Sequence, residues 1–156
     1  MDNKYDAVIV GGGVLGTFHA YHALELGLKV CLVEKDIYPK GATTQNFGQV
    51  VPSGMNSKWQ KFGRESLKIY KRIQSQFDIS IRQNGTVYLA SNEEEEQLLM
   101  ELRAINNGND YTSKMLTKQE CLANYPGLRK DYVTAGLFFP QEVTVEPRTM
   151  IHKLQK

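Results

Sequence analysis

The chain is poor in cysteine. Cys31 and Cys121 are the two it has among 156 residues, which excludes a disulfide framework. Cys31 falls in an expected buried strand, so it reads as a reduced core thiol. Long apolar runs are also missing. The start, Met1-Asp2-Asn3-Lys4-Tyr5-Asp6, is polar, and glycines interrupt the apolar stretch after it. Neither a secretory signal nor a membrane span is read from this pattern, and the expected compartment is the cytoplasm. A dominant charge is lacking as well. Lys and Arg number 19 against 17 for Asp and Glu, a net charge of +2. The cations are scattered, so there is no electrostatic case for nucleic acid. No internal repeat stands out, and the only biased run is Glu93-Glu94-Glu95-Glu96. With 41% hydrophobic and 23% charged residues, the composition is that of a globular protein of one ordinary domain.

What is present is a glycine pattern in a telling context. Val8-Ile9-Val10 precede Gly11-Gly12-Gly13-Val14-Leu15-Gly16, and an amphipathic run opens at Val14. Glycines 11, 13 and 16 fit G-x-G-x-x-G between a strand and a helix. Gly11 suits the tight turn, Gly13 lets a pyrophosphate approach the backbone, and Gly16 lets the helix lie against the strand. The first-turn N–H groups and the helix dipole favour phosphate there. A second apolar run, Val30-Cys31-Leu32-Val33, ends in Glu34, an acceptor for both hydroxyls of an adenosine ribose. The alternative is a glycine-rich turn with no ligand. The strand, helix, strand and acidic residue in sequence favour dinucleotide binding.

Residues 5–10 read as a buried parallel strand and 14–26 as a helix with Val14, Phe18 and Tyr21 on one face. Gly27 is placed to end it, and residues 29–34 form the second strand. His19 and His22 lie three apart, but no third ligand is near, and packing or surface roles are favoured over metal. Residues 36–54 form a long polar, glycine-bearing loop with apolar anchors at Phe47, Val50, Val51 and Pro52, of a kind that is often functional. Trp59, Phe62, Ile69, Ile73 and Phe77 mark a long amphipathic helix over about 56–77. Residues 79–82 and 86–90 read as strands of a hairpin around Asn84-Gly85. Asn92 with Glu95, and Thr117 with Glu120, are capping-box patterns. The second opens a short helix that stops before Pro126. Residues 133–139 are a further strand, and Pro147 sits where proline starts a helix. The expected class is α/β. A Rossmann-type dinucleotide-binding βαβ unit (1–77) is followed by an α+β region (78–145) and by the start of a further helix (146–156). Only two parallel strands are read where a doubly wound sheet needs about five or six, so the fold is expected to be incomplete, the N-terminal part of a larger one.

These residues resemble the D-amino-acid-oxidase-like (DAO) FAD-dependent oxidoreductases. The resemblance rests on residues 11–16, on Glu34-Lys35, and on Gly41-Ala42-Thr43-Thr44-Gln45-Asn46-Phe47-Gly48. It continues through residues 85–90, Met115 to Glu120, Tyr125-Pro126 and Val145-Glu146-Pro147-Arg148. It covers essentially the whole chain but only the N-terminal part of a family member. Residues 46–54 look most like a subgroup linked to phosphonate breakdown. The resemblance implies FAD, and makes 1–77 the N-terminal part of a Rossmann-type FAD-binding domain, 78–145 the start of an α+β substrate-binding domain and 146–156 the start of a helix returning to the first. The ADP half of FAD would lie on Gly11, Gly13, Val14, Leu15 and Gly16, and its ribose at Glu34 beside Lys35. The loop bearing Ala42, Thr43, Thr44, Asn46, Gly48 and Gln49 would run along the pyrophosphate, ribityl chain and flavin. It further implies oxidation of a small-molecule amine or amino acid by hydride transfer to flavin N5. The imine is then hydrolysed, and oxygen or another acceptor reoxidises the flavin. Some relatives tether FAD through a loop histidine. Residues 41–54 contain none, so the FAD is expected to be non-covalent. The family's carboxylate-binding arginines would lie beyond Lys156, and no catalytic residue carries over.

Two other functions compete. Glu34 would serve NAD equally well in a nicotinamide dehydrogenase, although a loop and a long helix, not a second βα unit, follow it. A non-catalytic nucleotide-binding domain is the third.

Overall fold

The computed structural model describes residues 4–156. The chain forms two compact units. The first comprises residues up to 49 together with 71–81 and 145–156, and the second comprises 50–70 and 82–144. In order the elements are β1 (Ala7–Val10), α1 (Val14–Glu25), β2 (Val30–Val33), β3 (Gln49–Val50), α2 (Ser57–Gln76), β4 (Thr86–Ala90), α3 (Glu93–Gly108), β5 (Lys114–Thr117), α4 (Lys118–Asn124), β6 (Ala135–Phe139), β7 (Val143–Thr144) and α5 (Pro147–Leu154). Short 3₁₀ turns cover Ala42–Gln45 and Pro52–Gly54.

In the first unit β1 and β2 pair in parallel, with Ala7 opposite Val30 and Val10 opposite Val33. Helix α1 crosses between them and ends as the glycine demands. Gly27 N–H donates to Leu24 O (2.9 Å) and Leu28 N–H to Ala23 O (3.0 Å), the pairing of a Schellman stop. One strand reading needs correction. β1 is not buried on both faces, since Val8 is 61% and Val10 84% exposed. A sheet of two strands has one face for α1 and leaves the other bare. The fully buried residues of α1 are Thr17 and Ala20, while Val14, Phe18 and Tyr21 are half-buried. Met150 and Ile151 of α5, with Ile73, Ile79 and Ile81, are also buried.

The expected hairpin around Asn84-Gly85 does not form. Strand β4 pairs with β6, not with residues 79–82. The reason is local chemistry. Ile79 and Ile81 N–H groups both donate to Gln74 Oε1 (3.1 and 3.0 Å), and Ser80 N–H donates to Asp78 Oδ1 (2.9 Å). The backbone is thereby spent on side chains, and Ser80 takes a φ of 69°.

The second unit is an antiparallel sheet in the order β4-β6-β5. Strand β5 has no clear signal in the sequence. Alternation divides the sheet's side chains between two clusters. Ala90, Ala135, Leu137 and Phe139 join Leu99 of α3 on one side, while Leu116, Val133 and Cys121 of α4 make the other. Central β6 is therefore buried nearly throughout. Both expected caps hold. Asn92 Oδ1 accepts from Glu95 N–H (2.9 Å); Glu95 itself reaches Ser91 N–H and Oγ (2.7 and 2.8 Å), one residue earlier than the box requires. Thr117 and Glu120 form the complete box, and these contacts, Thr117 N–H foremost, hold the Glu120 carboxyl down at about 2. Helix α2 matches its expected span, but Trp59 and Phe62 of the apolar stripe are 60% and 56% exposed, and Gln60, Leu67 and Ile73 are its buried residues.

Candidate functional site

The site is built on the turn between β1 and α1. Gly11 N–H donates to Val33 O (2.7 Å), extending the strand pairing by one rung. The chain then turns with a φ of +104° at Gly11, a conformation ordinary side chains resist. Gly16 lies so close to this turn that a Cβ would overlap the Gly11 carbonyl oxygen. The first helical hydrogen bond, Thr17 N–H to Gly13 O (2.9 Å), starts α1.

Long-range contacts hold the Gly12 peptide groups on both sides. Gly12 N–H donates to Glu34 Oε2 (2.6 Å), and Asp36 N–H donates to Glu34 Oε1 (3.1 Å). These amides, Gly12 first, hold the Glu34 carboxyl below the ordinary glutamate range. Gly12 O accepts from Thr17 Oγ1 (3.1 Å) and from Gln155 Nε2 (2.8 Å), and Gln155 Nε2 also donates to Thr17 Oγ1 (3.0 Å).

The loop after β2 folds back onto this turn. Gly13 caps α1 without a side chain, and Thr43 Oγ1 supplies the missing acceptor, taking Val14 N–H at 3.0 Å. Loop geometry is self-made. Thr44 Oγ1 donates to Pro39 O (3.1 Å) and Gln45 Nε2 to Lys40 O (2.8 Å). Asn46 Nδ2 donates to Thr43 O (2.7 Å) and Ala42 O (3.0 Å), while its Oδ1 accepts from Gly48 N–H (2.7 Å). Val145 N–H donates to Gly48 O (2.8 Å), tying the loop to the chain just before α5.

Two grooves result. One, of about 430 Å³, is lined by Val10, Gly11, residues 13–16, Ala42, Thr43 and Asn46. The other, of about 380 Å³, is lined by Gly13, residues 34–36 and residues 39–43. They meet at Gly13, Ala42 and Thr43, so the glycine turn and Glu34 with Lys35 border one continuous path. A Cβ built on Gly13 would lie 3.1 Å from Thr43 Oγ1. A helix N-terminus, a bare Gly13 at the junction and a carboxylate in the adjoining groove are the donors and acceptor a dinucleotide's phosphates and ribose require, and the residues fit such a group. Thr44 faces a third cleft, of about 810 Å³, shared with Tyr38 and α5. Gly48 and Gln49 line none of these three.

Sequence reasoning missed Thr17 and Gln155. A threonine one residue after the last motif glycine could have been noticed as a back-bonding side chain. Gln155 carried no signal, since it reaches Gly12 across 143 positions. His19 Nδ1 and His22 Nδ1 find partners within α1, Leu15 O (2.7 Å) and Glu25 Oε2 (2.9 Å). Among the described residues no helix is long and apolar enough to cross a membrane.

Comparison with known proteins agrees with this geometry. The profile of the DAO family, described as FAD dependent oxidoreductase, matches residues 6–156. Glycine oxidase of Bacillus licheniformis is 29% identical over 159 residues, covering 94% of this chain and 41% of that protein. Mitochondrial dimethylglycine dehydrogenase of Rattus norvegicus is 24% identical over 151 residues, covering 95% of this chain and 18% of that protein. The crystal structure of glycine oxidase from Bacillus cereus ATCC 14579 superposes with a TM-score of 0.86 at 24% identity, covering 97% of this chain and 42% of that one, a likeness of fold. The chain thus spans about two fifths of a glycine oxidase.

Proposed function

The chain belongs to the DAO family of FAD dependent oxidoreductases, and from that premise we propose that the first unit holds the ADP half of a non-covalent FAD in a protein that oxidises a small amine or amino acid. The observation that carries the reading is the junction of two grooves at Gly13, with the start of α1 in one and Glu34 in the other. When bound, FAD supplies two-electron chemistry suited to converting a C–N bond to an imine that water hydrolyses.

This chain's residues bind and orient. Gly13 leaves room for a pyrophosphate, and the positive end of the α1 dipole attracts it. Thr43, bonded to Val14 N–H, brings the loop to the same place. Glu34 stays ionised, being held low by backbone amides, and accepts from ribose hydroxyls on lone pairs those amides leave open. Its charge also rejects a 2′-phosphate. Ala42, Thr44, Asn46, Gly48 and Gln49 shape the path the rest of the cofactor follows. The relatives' names, glycine oxidase and dimethylglycine dehydrogenase, support a small primary or N-methylated amine, and the residues 46–54 resemblance adds an aminophosphonate. The domain assignment follows the same reading, with residues 1–77 contributing to FAD binding, 78–145 to substrate binding and 146–156 returning to the first domain. Two free thiols support a reducing, cytoplasmic setting.

The test is the visible spectrum of the purified full-length protein. Flavin bands that bleach anaerobically with amino acids, N-methyl amines or aminophosphonates support the proposal. A colourless protein that binds NAD, or turnover confined to alcohols and hydroxy acids, rejects it.

A further inference from the structure

Gln155 stands at the end of α5, far in sequence from the glycine turn, yet its amide nitrogen reaches both Gly12 O (2.8 Å) and Thr17 Oγ1 (3.0 Å). Thr17 is 2% exposed, and its hydroxyl donates to the same carbonyl at 3.1 Å. Two donors therefore converge on one backbone oxygen. A peptide group is planar and trans, so its C=O and the following N–H point in opposite directions. Holding the Gly12 carbonyl toward Thr17 and α5 turns the Gly13 N–H the other way. Gly13 is also the residue at which the two grooves meet.

We infer that Gln155 is a positioning residue for the pyrophosphate of the dinucleotide. It locks the Gly12–Gly13 peptide so that the Gly13 N–H is presented to the phosphates before the cofactor arrives. This deepens the FAD reading above and rests on it. On the other side of the same turn, Glu34 holds Gly12 N–H, so both peptide groups flanking the Gly12 Cα are fixed by side chains from elsewhere in the unit. Preorganisation of this kind acts on affinity by removing an ordering cost that the ligand would otherwise meet. Gln155 also stands close to the carboxylate. A Cβ built on Gly12 would lie 2.9 Å from Gln155 Nε2 and 3.2 Å from Glu34 Oε2. A carboxylate in place of the amide would therefore lose the donor and face Glu34 with like charge.

The experiment uses full-length protein stripped of flavin and titrated with FAD, following quenching of flavin fluorescence, alongside thermal unfolding of the apoprotein. Gln155→Leu removes the donor and should weaken FAD binding by about fivefold to tenfold, the loss of one hydrogen bond's net contribution. Gln155→Glu should weaken it further, and lowering the pH toward the carboxyl range should recover part of that loss. Thr17→Val, which removes the second donor to the same carbonyl, should combine with Gln155→Leu more than additively, since either donor alone holds the peptide. The melting temperature of the Gln155→Leu apoprotein should match wild type, because Gln155 is exposed at a helix end. Wild-type protein that binds FAD while both Gln155 variants bind it equally well overturns this role and leaves the FAD reading standing. A fall in apoprotein melting temperature that accounts for the whole affinity loss overturns it too. Wild-type protein that takes up no FAD overturns the reading beneath it.

Discussion

Removing the carboxyl of Glu142 should destabilise the second unit and change how its stability depends on pH. Glu142 is fully buried. Its Oε1 accepts from Ser53 N–H (2.8 Å) and faces Tyr111 OH (3.4 Å), while Oε2 has no partner among the described residues. Ser53 is itself 1% exposed. Its carbonyl accepts from Asn106 Nδ2 (3.2 Å), its hydroxyl pairs with Tyr88 OH (3.1 Å), and Gln60 Nε2 continues the network to Asn106 Oδ1 (2.5 Å). Glu142→Ala strands Ser53 N–H in the interior at about 1–3 kcal/mol and leaves a cavity, for a total of about 2–4 kcal/mol. Glu142→Gln keeps an acceptor of the same shape and should cost about 1 kcal/mol or less. Burial pushes the Glu142 carboxyl up from its ordinary value, so the folded unit keeps a proton that the unfolded chain releases at about pH 4.3. The stabilisation is full below that pH and is lost as pH rises through the folded value, at up to about 1.4 kcal/mol per pH unit. The facing phenols, Tyr88 and Tyr111, are both pushed upward by burial and stay neutral across this window, and the Arg64 guanidinium lies over the Tyr111 ring, 5.4 Å from its centre. Denaturant unfolding of the full-length protein between pH 4 and 8, with hydrogen exchange at the Ser53 amide, reads both effects. The wild type should lose stability over this rise and Glu142→Gln should not. Identical pH profiles for the two, or free exchange at Ser53 in the wild type, would refute the argument.

Glu34→Ala should weaken FAD binding by about tenfold or more, because it releases Gly12 N–H as well as the ribose hydroxyls; unchanged affinity in an apoprotein titration sinks the assignment. Asn46→Ala breaks three contacts inside one turn and should cost about 1–2 kcal/mol of stability, with the flavin spectrum shifting if the loop borders the ring; a variant with wild-type melting and spectrum would contradict both roles. Thr117→Ala removes a helix cap at about 1 kcal/mol. It also removes the hydroxyl contact to Glu120 but keeps the residue-117 N–H and Lys114 contacts. Only part of the stability that the lowered carboxyl contributes above its unfolded value, and loses as pH falls toward about 2, goes with it, so the variant's acid unfolding should be slightly less pH-sensitive there. Residues 1–156 expressed alone should self-associate through Val8, Val10 and Leu15, which are 61%, 84% and 76% exposed; light scattering showing a stable monomer would count against this.

The features that sequence settled are those whose physics is local. Glycine spacing dictated the turn, because no other residue tolerates the backbone at Gly11 or the approach at Gly16. Gly27 ended α1, Thr117 with Glu120 opened α4, and Pro147 opened α5, each through contacts within a few residues. Apolar periodicity gave α2 its span but not its buried side, since burial depends on neighbours contributed from elsewhere. The hairpin at Asn84-Gly85 failed for the same reason. The turn signal was sound, but Gln74 had taken the amides on one side, and β6, about 50 residues away, offered β4 a partner. Tertiary structure alone joined Thr43 to Val14, Glu142 to Ser53 across 89 positions and Gln155 to Gly12 across 143. Single polar side chains of this kind leave no periodic trace. Which buried donor each one meets is decided only when the chain has closed the loops between them, and loop closure costs entropy that only the assembled core offsets.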